Sequence, residues 1–261
     1  QSGSATDRVV AALETFENDP LFNAGYGSVL NHVGGVETDA LIFDGRSGRI
    51  AGVGSVPKLR HPSRVAAALL TERDFLLLCG SGARKFADKI GEPQEDLRTH
   101  EQIKAWRSHL YGANVSALTG HKKGSASETV GAIAVFEGVI SAGTSTGGLL
   151  GKPEGRVGDS AVYGAGLWSD ARFAVVCSGV GEAMMKVQLA SRVGHEVNRH
   201  LQMQEAVEWG VRTCATETNG ACAVLAMDRL YGSIGAAHNG TDFPVGLYSE
   251  AGFHQVHPVK L

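Results

Sequence analysis

The sequence predicts an α+β fold of four layers, αββα, in which two mostly antiparallel sheets lie between layers of helices. Strand-like alternation occurs in hairpin pairs on both sides of a helical section, whereas a parallel sheet would need alternating strands and helices. The 35 glycines have no collagen period, and glycine-rich turns between apolar strands favour a layered fold. With 261 residues and 43% apolar content, we expect a single domain over residues 1–261.

The segment before residue 111 contains three predicted helices and three predicted strands. Helical spacing of apolar residues stops at Pro20, alternation resumes on either side of the Asp44-Gly45 turn, and Gly91 ends the last helix. Ser63 is expected to cap the second helix. The predicted helices are 4–19, 65–70 and 83–90, and the predicted strands are 36–43, 50–56 and 75–79.

Residues 111–128 lose apolar periodicity and fill with Gly, Ser, Asn and Lys, which is typical of a flexible linker. A hairpin is expected to begin directly after it, at Thr129. The predicted strands of this half are 129–136, 139–144, 173–178, 221–227, 232–237 and 245–248, and the predicted helices are 181–193 and 203–214.

Charge and composition limit the kinds of partner and substrate that the protein can have. The formal net charge is −3 and no block of Lys or Arg occurs, which argues against nucleic acid or an anionic membrane as a partner. No apolar run approaches the roughly 18 to 20 residues that span a bilayer, and no signal-peptide core precedes the first helix. Four scattered cysteines are typical of free thiols. We therefore expect a cytoplasmic protein that acts on a small molecule or peptide.

Two segments resemble known binding motifs but do not match them. Residues 144–152 resemble a phosphate loop, but Thr146 and Pro153 stand where a Walker loop needs glycine and a magnesium-binding hydroxyl. His195 and His200 resemble a zincin pair, yet five residues on a helix separate them by about 140°. Neither nucleotide nor metal binding is expected at these places.

The junction of linker and strand, Glu128-Thr129, is a candidate functional site because motif blocks lie on both sides of it. A threonine that starts a strand is ordinary by itself. The blocks are 19–30 (DPLFNAGYGSVL), 37–45 (ETDALIFDG), 144–148 (TSTGG), 155–160 (GRVGDS), 164–166 (GAG) and 178–182 (SGVGE). In their order and spacing, the blocks resemble the isoaspartyl peptidases and plant-type (type 2) asparaginases, which are N-terminal-nucleophile (Ntn) hydrolases.

The resemblance implies a precursor that cuts itself between Glu128 and Thr129, so that residues 1–128 form an α-subunit and 129–261 a β-subunit. A threonine hydroxyl is a weak nucleophile unless a base lies beside it, and a terminal threonine carries its own α-amine. The pKa of an α-amine is near 8, so it can accept a proton around neutral pH. Inside an intact chain the same nitrogen is an amide, and cleavage must come first.

The resemblance also implies roles for the remaining site residues. Thr146 would hydrogen-bond the nucleophile, Arg156 would bind the substrate α-carboxylate, and Asp159 would bind the α-ammonium together with the carbonyl of Gly181. An arginine fork suits a carboxylate because it donates two parallel bonds. The oxyanion hole would be Ser178 and Gly179.

A second group of residues, Asn23-Ala24-Gly25, falls in the family's stabilising loop. No cofactor is expected, although the family often holds a structural sodium ion through backbone carbonyls of this loop, near Phe22 and Asn23. The implied substrates are L-asparagine and β-aspartyl dipeptides, and relatives usually pair two αβ units into a homodimer.

Three departures from the family pattern keep alternatives open. The strand and glycine loop that usually open the family are missing before residue 5, serine replaces threonine at Ser178, and Glu128 stands where glycine or aspartate is typical. One alternative is a threonine aspartase that cuts proteins after aspartate, which the stretches 163–168 and 238–248 favour. Another is an uncleaved, catalytically silent homologue with a binding role.

Overall fold

A computed structural model describes residues 3–116, 129–199 and 202–261, and it has the expected αββα architecture. The helices are α1 (Ala5–Asn18), α2 (Pro62–Leu69), α3 (Gly80–Lys89), α4 (His100–Ser116), α5 (Gly181–Val187), α6 (Leu189–Arg199) and α7 (Met203–Thr218). The strands are β1 (Glu37–Asp44), β2 (Arg49–Pro57), β3 (Leu77–Cys79), β4 (Val130–Phe136), β5 (Val139–Thr146), β6 (Leu167–Ser169), β7 (Phe173–Gly179), β8 (Cys222–Asp228), β9 (Ile234–His238), β10 (Val245–Ser249), β11 (Gly252–Val256) and β12 (Val259–Lys260).

The first sheet has the strand order β3-β2-β1-β5-β4 and is covered on one face by α1, α2 and α3. Alternate residues of β1 show its two faces. Ile42 packs with Leu13 and Val53 under the helices, whereas Leu41 and Phe43 face the second sheet. The predicted hairpins β1–β2 and β4–β5 are confirmed as antiparallel pairs. The short strand β3 instead runs parallel to β2.

The second sheet has the order β12-β9-β8-β7-β6 and is covered by α5, α6 and α7. Val175, Met184 and Val211 belong to the core beneath these helices. Ala174 and Val176 lie on the opposite face of β7 and pack between the two sheets. Strands β10 and β11 form a separate hairpin.

Ser63 was expected to cap a helix, and this is wrong. Helix α2 begins one residue earlier, with Pro62 at its first position and His61 as the cap. Proline is favoured there because the first N–H of a helix has no partner within it. The backbone N–H and hydroxyl of Ser63 both donate to the carboxylate of Glu17.

The predicted helix 181–193 is two helices. Gln188 has a left-handed backbone with φ of 52° and separates α5 from α6. Just after the break, the N–H groups of Ala190 and Ser191 donate to the carbonyls of Ala165 and Gly164. A contact with a distant loop therefore overrides the local helical pattern.

The predicted linker is wrong at its start, because residues 111–116 belong to α4. The rest of that prediction, including Glu128, lies outside the described residues. Within the described ranges, no helix is long and apolar enough to cross a membrane.

Candidate active site

Thr129 directly precedes β4, at the end of the first sheet where several polar residues converge. It is half-buried, and its Oγ1 lies 3.3 Å from Oγ of Ser160. The β4–β5 ladder pairs Val130 with Ser145, so Thr129 and Thr146 are the next residues along the two strands. The hydroxyl of Thr129 thus lies beside β5 at the mouth of the space between the sheets.

Thr146 and Thr144 anchor the residues around this hydroxyl. Thr146 is buried, and its Oγ1 accepts a hydrogen bond of 3.0 Å from the N–H of Gly148. Oγ1 of Thr144 donates to the carbonyl of Ser160 at 2.8 Å. Ser160 was not singled out as a site residue, although it ends the GRVGDS block. The signal was therefore present in the sequence, but only the contact with Thr129 shows its relevance.

The loop 23–25 supports β5 from the side of α1. The side-chain N–H of Asn23 donates to the carbonyl of Gly148 at 2.8 Å, and the backbone carbonyl of Asn23 accepts from the N–H of Gly147 at 2.8 Å. Ala24 is fully buried, and Gly25 has a positive φ of 52°. These bonds hold the chain in place just after Thr146.

Ser178 and Gly179 lie at the end of β7, in the facing sheet. A Cβ on Gly131 would lie 3.1 Å from the side chain of Val176, so these two residues oppose each other across the sheets. Thr129 lies two residues before Gly131 and Ser178 two residues after Val176, and each shares the face of the strand residue it is counted from. Gly179 has a φ of 135°, and a Cβ there would collide with the carbonyl of Ala221. Only glycine suits this position.

Arg156 forms a bidentate ion pair with Glu182 and no ion pair with Asp159. Its Nε and Nη2 lie 2.9 and 2.8 Å from the carboxylate oxygens. The third nitrogen, Nη1, has no hydrogen-bond partner within the described part of the chain and lies against Gly148 and Gly158. No described residue accepts a hydrogen bond from Nη1, so its N–H groups can bind an anion. Glu182 was not identified from the sequence.

Asp159 is a buried carboxylate with one unsatisfied oxygen. It is 4% exposed, and Oδ2 has no hydrogen-bond partner among the described residues. Burial raises the pKa of Asp159 to about 7, although the charge of Arg156 opposes the shift. A Cβ on Gly181 would lie 2.7 Å from Oδ1 of Asp159 and 2.8 Å from Nη2 of Arg156. Glycine at position 181 thus keeps this space open.

The structure describes one histidine of the zincin-like pair. His195 stacks edge-on against Trp168, with ring centroids 5.5 Å apart, while His200 lies outside the described residues. Over the described ranges, no cluster of three or more His, Cys, Asp or Glu side chains could hold a metal ion.

Together these groups place a hydroxyl beside a cation and an unsatisfied carboxylate. Asp159 and Ser160 are consecutive, so the residue that contacts Thr129 adjoins the carboxylate. Such an arrangement can bind a small molecule with one negative and one positive group and present its remaining end to Thr129.

Comparisons with known proteins found a matching family model and several relatives. A family model described as asparaginase matches residues 1–257. An isoaspartyl peptidase/L-asparaginase of Danio rerio is 37% identical over 247 residues, covering 92% of this chain and 76% of the relative. A plant-type L-asparaginase of Pyrococcus furiosus is 36% identical over 252 residues, with coverage of 92% and 81%. An isoaspartyl peptidase/L-asparaginase of Mus musculus is 35% identical over 232 residues, with coverage of 87% and 70%.

Proposed function

The chain belongs to the asparaginase family and is a hydrolase, and from this premise we propose that it cleaves L-asparagine and β-aspartyl peptides with Thr129 as nucleophile. One observation carries the proposal. The hydroxyl of Thr129 contacts Ser160, and the preceding residue, Asp159, holds an unsatisfied buried carboxylate beside Arg156. The nucleophile and a site for an amino-acid head group are therefore adjacent.

Activation comes first in the proposed mechanism. Oγ1 of Thr129 attacks the carbonyl carbon of Glu128, the C–N bond breaks, and the chain passes from nitrogen to oxygen as an ester. The proton of the hydroxyl passes to the nitrogen, which becomes the free α-amine of Thr129. Water then hydrolyses the ester, which releases a carboxylate on Glu128 and restores the hydroxyl of Thr129. The amine is the base that an intact chain lacks.

In each turnover, the α-amine of Thr129 accepts the proton of its own hydroxyl while Oγ1 attacks the side-chain carbonyl of the substrate. The negative charge on the carbonyl oxygen is stabilised by the hydroxyl of Ser178 and the N–H of Gly179. The protonated amine then donates to the leaving nitrogen, which departs as ammonia or as the amine of the next residue. Water hydrolyses the aspartyl ester by the same proton transfers, and L-aspartate is released.

Recognition of the head group follows from charge. Nη1 of Arg156 is the donor offered to the α-carboxylate, while Asp159 and the carbonyl of Gly181 accept from the α-ammonium. A bound ammonium favours the ionised form of Asp159 and so lowers its pKa from the value near 7 that burial imposes. Because asparagine and β-aspartyl peptides share this head group, one site serves both substrates.

The experiment is intact-mass analysis of the purified protein, followed by assays for release of ammonia from L-asparagine and of leucine from β-aspartyl-leucine. We expect two fragments divided between Glu128 and Thr129, both activities, and the loss of cleavage and activity in Thr129→Ala. Serine is the matched control, since Thr129→Ser keeps the hydroxyl and should retain part of both reactions.

Other outcomes separate the alternatives. A wild-type chain that stays in one piece without activity would mean a silent homologue. Cleavage of a folded protein after aspartate, without release of ammonia from asparagine, would mean a threonine aspartase.

A sodium ion in the stabilising loop is part of the proposal. A Cβ on Gly25 would lie 2.5 Å from the carbonyl oxygen of Arg60, and one on Gly27 would lie 2.8 Å from that of Pro20. Backbone carbonyls thus crowd this loop, and hard cations prefer oxygen donors. A higher melting temperature in sodium chloride than in choline chloride at equal ionic strength would support the site, and equal temperatures would refute it.

A cytoplasmic location and a homodimer of αβ units complete the proposal. The free state of all four cysteines, three of them buried, supports a reducing compartment. The dimer rests on the family resemblance, and light scattering after size-exclusion chromatography tests it.

A further inference from the structure

Two carboxylates of β1 lie next to the proposed head-group site, and the mechanism gives them no role. Glu37 and Asp39 are two residues apart, so they share the face of β1 that carries Leu41 and Phe43 towards the second sheet. Asp39 is fully buried and pairs with Thr146 across the β1–β5 ladder. Both carboxylates therefore lie at the polar end of the space between the sheets.

Asp39 binds two backbone N–H groups from different segments. Its Oδ1 accepts from Ser55 at 2.6 Å, and its Oδ2 accepts from Gly158 at 2.9 Å. Gly158 directly precedes Asp159, the carboxylate offered to the substrate ammonium. Asp39 thus ties the substrate-binding loop to the rigid first sheet.

Glu37 holds the same loop on the other side of Arg156. Its Oε1 accepts from the N–H of Gly155 at 3.1 Å and from the hydroxyl of Ser55 at 2.8 Å. Oε2 accepts from the side-chain amide of Asn31 at 3.1 Å. The two carboxylates therefore bind the chain at Gly155 and Gly158, which flank Arg156.

Lys152 offsets part of the charge that this arrangement buries. It is 3% exposed, and its Nζ donates to the backbone carbonyl of Glu37 at 3.0 Å. Burial raises the pKa of Asp39, while the charge of Lys152 lowers it. Burial also lowers the pKa of Lys152, while Asp39 opposes that shift. A buried carboxylate costs stability unless an opposite charge and hydrogen bonds compensate for its lost hydration, and Asp39 has both.

We propose that Asp39 and Glu37 are positioning residues for substrate recognition, because they set the spacing between Arg156 and Asp159 through the N–H groups of Gly158 and Gly155. Between β5 and the turn at Asp159–Ala161, the loop lies in no helix or strand, so its path depends on such side-chain bonds. The inference rests on the proposed function. It predicts that loss of a carboxylate weakens binding of the head group more than it slows the chemical steps.

The test is Asp39→Asn, which keeps the size of the side chain. An amide nitrogen would face a backbone N–H, so one of the two bonds is lost. We expect KM for L-asparagine to rise at least about tenfold, because loss of a hydrogen bond to a charged group weakens binding by roughly that factor. The value of kcat should stay within about threefold of wild type. Inhibition by L-aspartate, which has the same head group, should weaken by a similar factor.

Asp44→Asn is the matched control. Asp44 ends the same strand and also accepts hydrogen bonds from a backbone N–H and from hydroxyls, those of Ser47 and Thr6. This variant should lower the melting temperature while KM and the inhibition constant stay at wild-type values. A purely structural role for Asp39 would make the two variants alike.

Glu37→Gln keeps the inference falsifiable if Asp39→Asn does not fold, because Glu37 is only half-buried and one acceptor oxygen remains. It should raise KM and the inhibition constant together, by a smaller factor. Unchanged values in either folded variant, or a loss of kcat alone, would overturn the inference. Absence of hydrolysis in the wild type would instead overturn the proposed function.

Discussion

Glu17 is a buried carboxylate outside the proposed site, and we predict that it makes stability fall between mildly acidic and neutral pH. It is fully buried on α1 and accepts bonds from the N–H and hydroxyl of Ser63 and from the hydroxyl of Ser145. Burial raises its pKa from 4.5 to about 7, against the lowering effect of these bonds.

The magnitude follows from proton linkage. Between pH 4.5 and about 7, the folded chain keeps a proton on Glu17 that the unfolded chain has lost. Each pH unit then costs about 1.4 kcal/mol of unfolding free energy, so the window costs roughly 3 kcal/mol. The stabilisation is complete below pH 4.5 and lost above about 7. Glu17→Gln removes this dependence, because an amide does not titrate.

The assay is urea unfolding at pH 5 and pH 8, in a Thr129→Ala background that lacks the proposed nucleophile. From pH 5 to pH 8, stability of Glu17→Gln relative to its parent should rise by roughly 3 kcal/mol. Glu17→Ala, which leaves the donors of Ser63 and Ser145 without an acceptor, should lose about 3 to 5 kcal/mol at pH 5. A Gln difference that does not change with pH would refute the reasoning.

Three further predictions concern the site. Gly181→Ala places a methyl group against Asp159 and Arg156, so KM for asparagine should rise at least about tenfold. The control is Gly82→Ala, whose methyl group meets nothing within 4 Å and should leave KM unchanged. Since the pKa of Asp159 is raised to about 7, wild-type KM should fall as pH rises through that value. Asp159→Asn should show a high KM without this change. Parallel pH profiles of KM for the two proteins would contradict a role of Asp159 in binding the ammonium. Ser160→Ala removes the hydroxyl 3.3 Å from that of the nucleophile and should slow chain cleavage, followed by mass spectrometry, by about tenfold, and an unaltered rate would contradict it.

Much of the fold could be predicted because its determinants are local. The alternation of β1 and β2 around the Asp44-Gly45 turn predicts an antiparallel hairpin without knowledge of any distant partner. The pairing of β1 with β5, which sets Asp39 beside Thr146, joins residues far apart in the sequence and has no local signal. The break at Gln188 is similar, because the loop that binds the start of α6 lies elsewhere in the chain.

In the candidate site, too, some features could be predicted from the sequence and others depend on contacts between distant residues. The motif blocks predict Thr129, Arg156 and Asp159 as residues of one site, because the sequence contains the residue types and their spacing. The partner of Arg156 could not be foreseen, because Glu182 is exposed at the start of a helix and follows an ordinary pattern. A hydrogen bond between two side chains depends on geometry that only the folded chain supplies.

The order β3-β2-β1-β5-β4 joins three strands that precede Thr129 to two that follow it in one sheet. If the chain is cut there, the ladder from Asp39 to Phe43 on one fragment and Ala142 to Thr146 on the other still joins the two pieces. Folding of the intact chain is unimolecular, whereas reassembly of separated fragments would be bimolecular. The activated protein would then have a melting temperature that depends on its concentration. Heating would separate the two fragments, which reassemble less readily than the uncut chain folds.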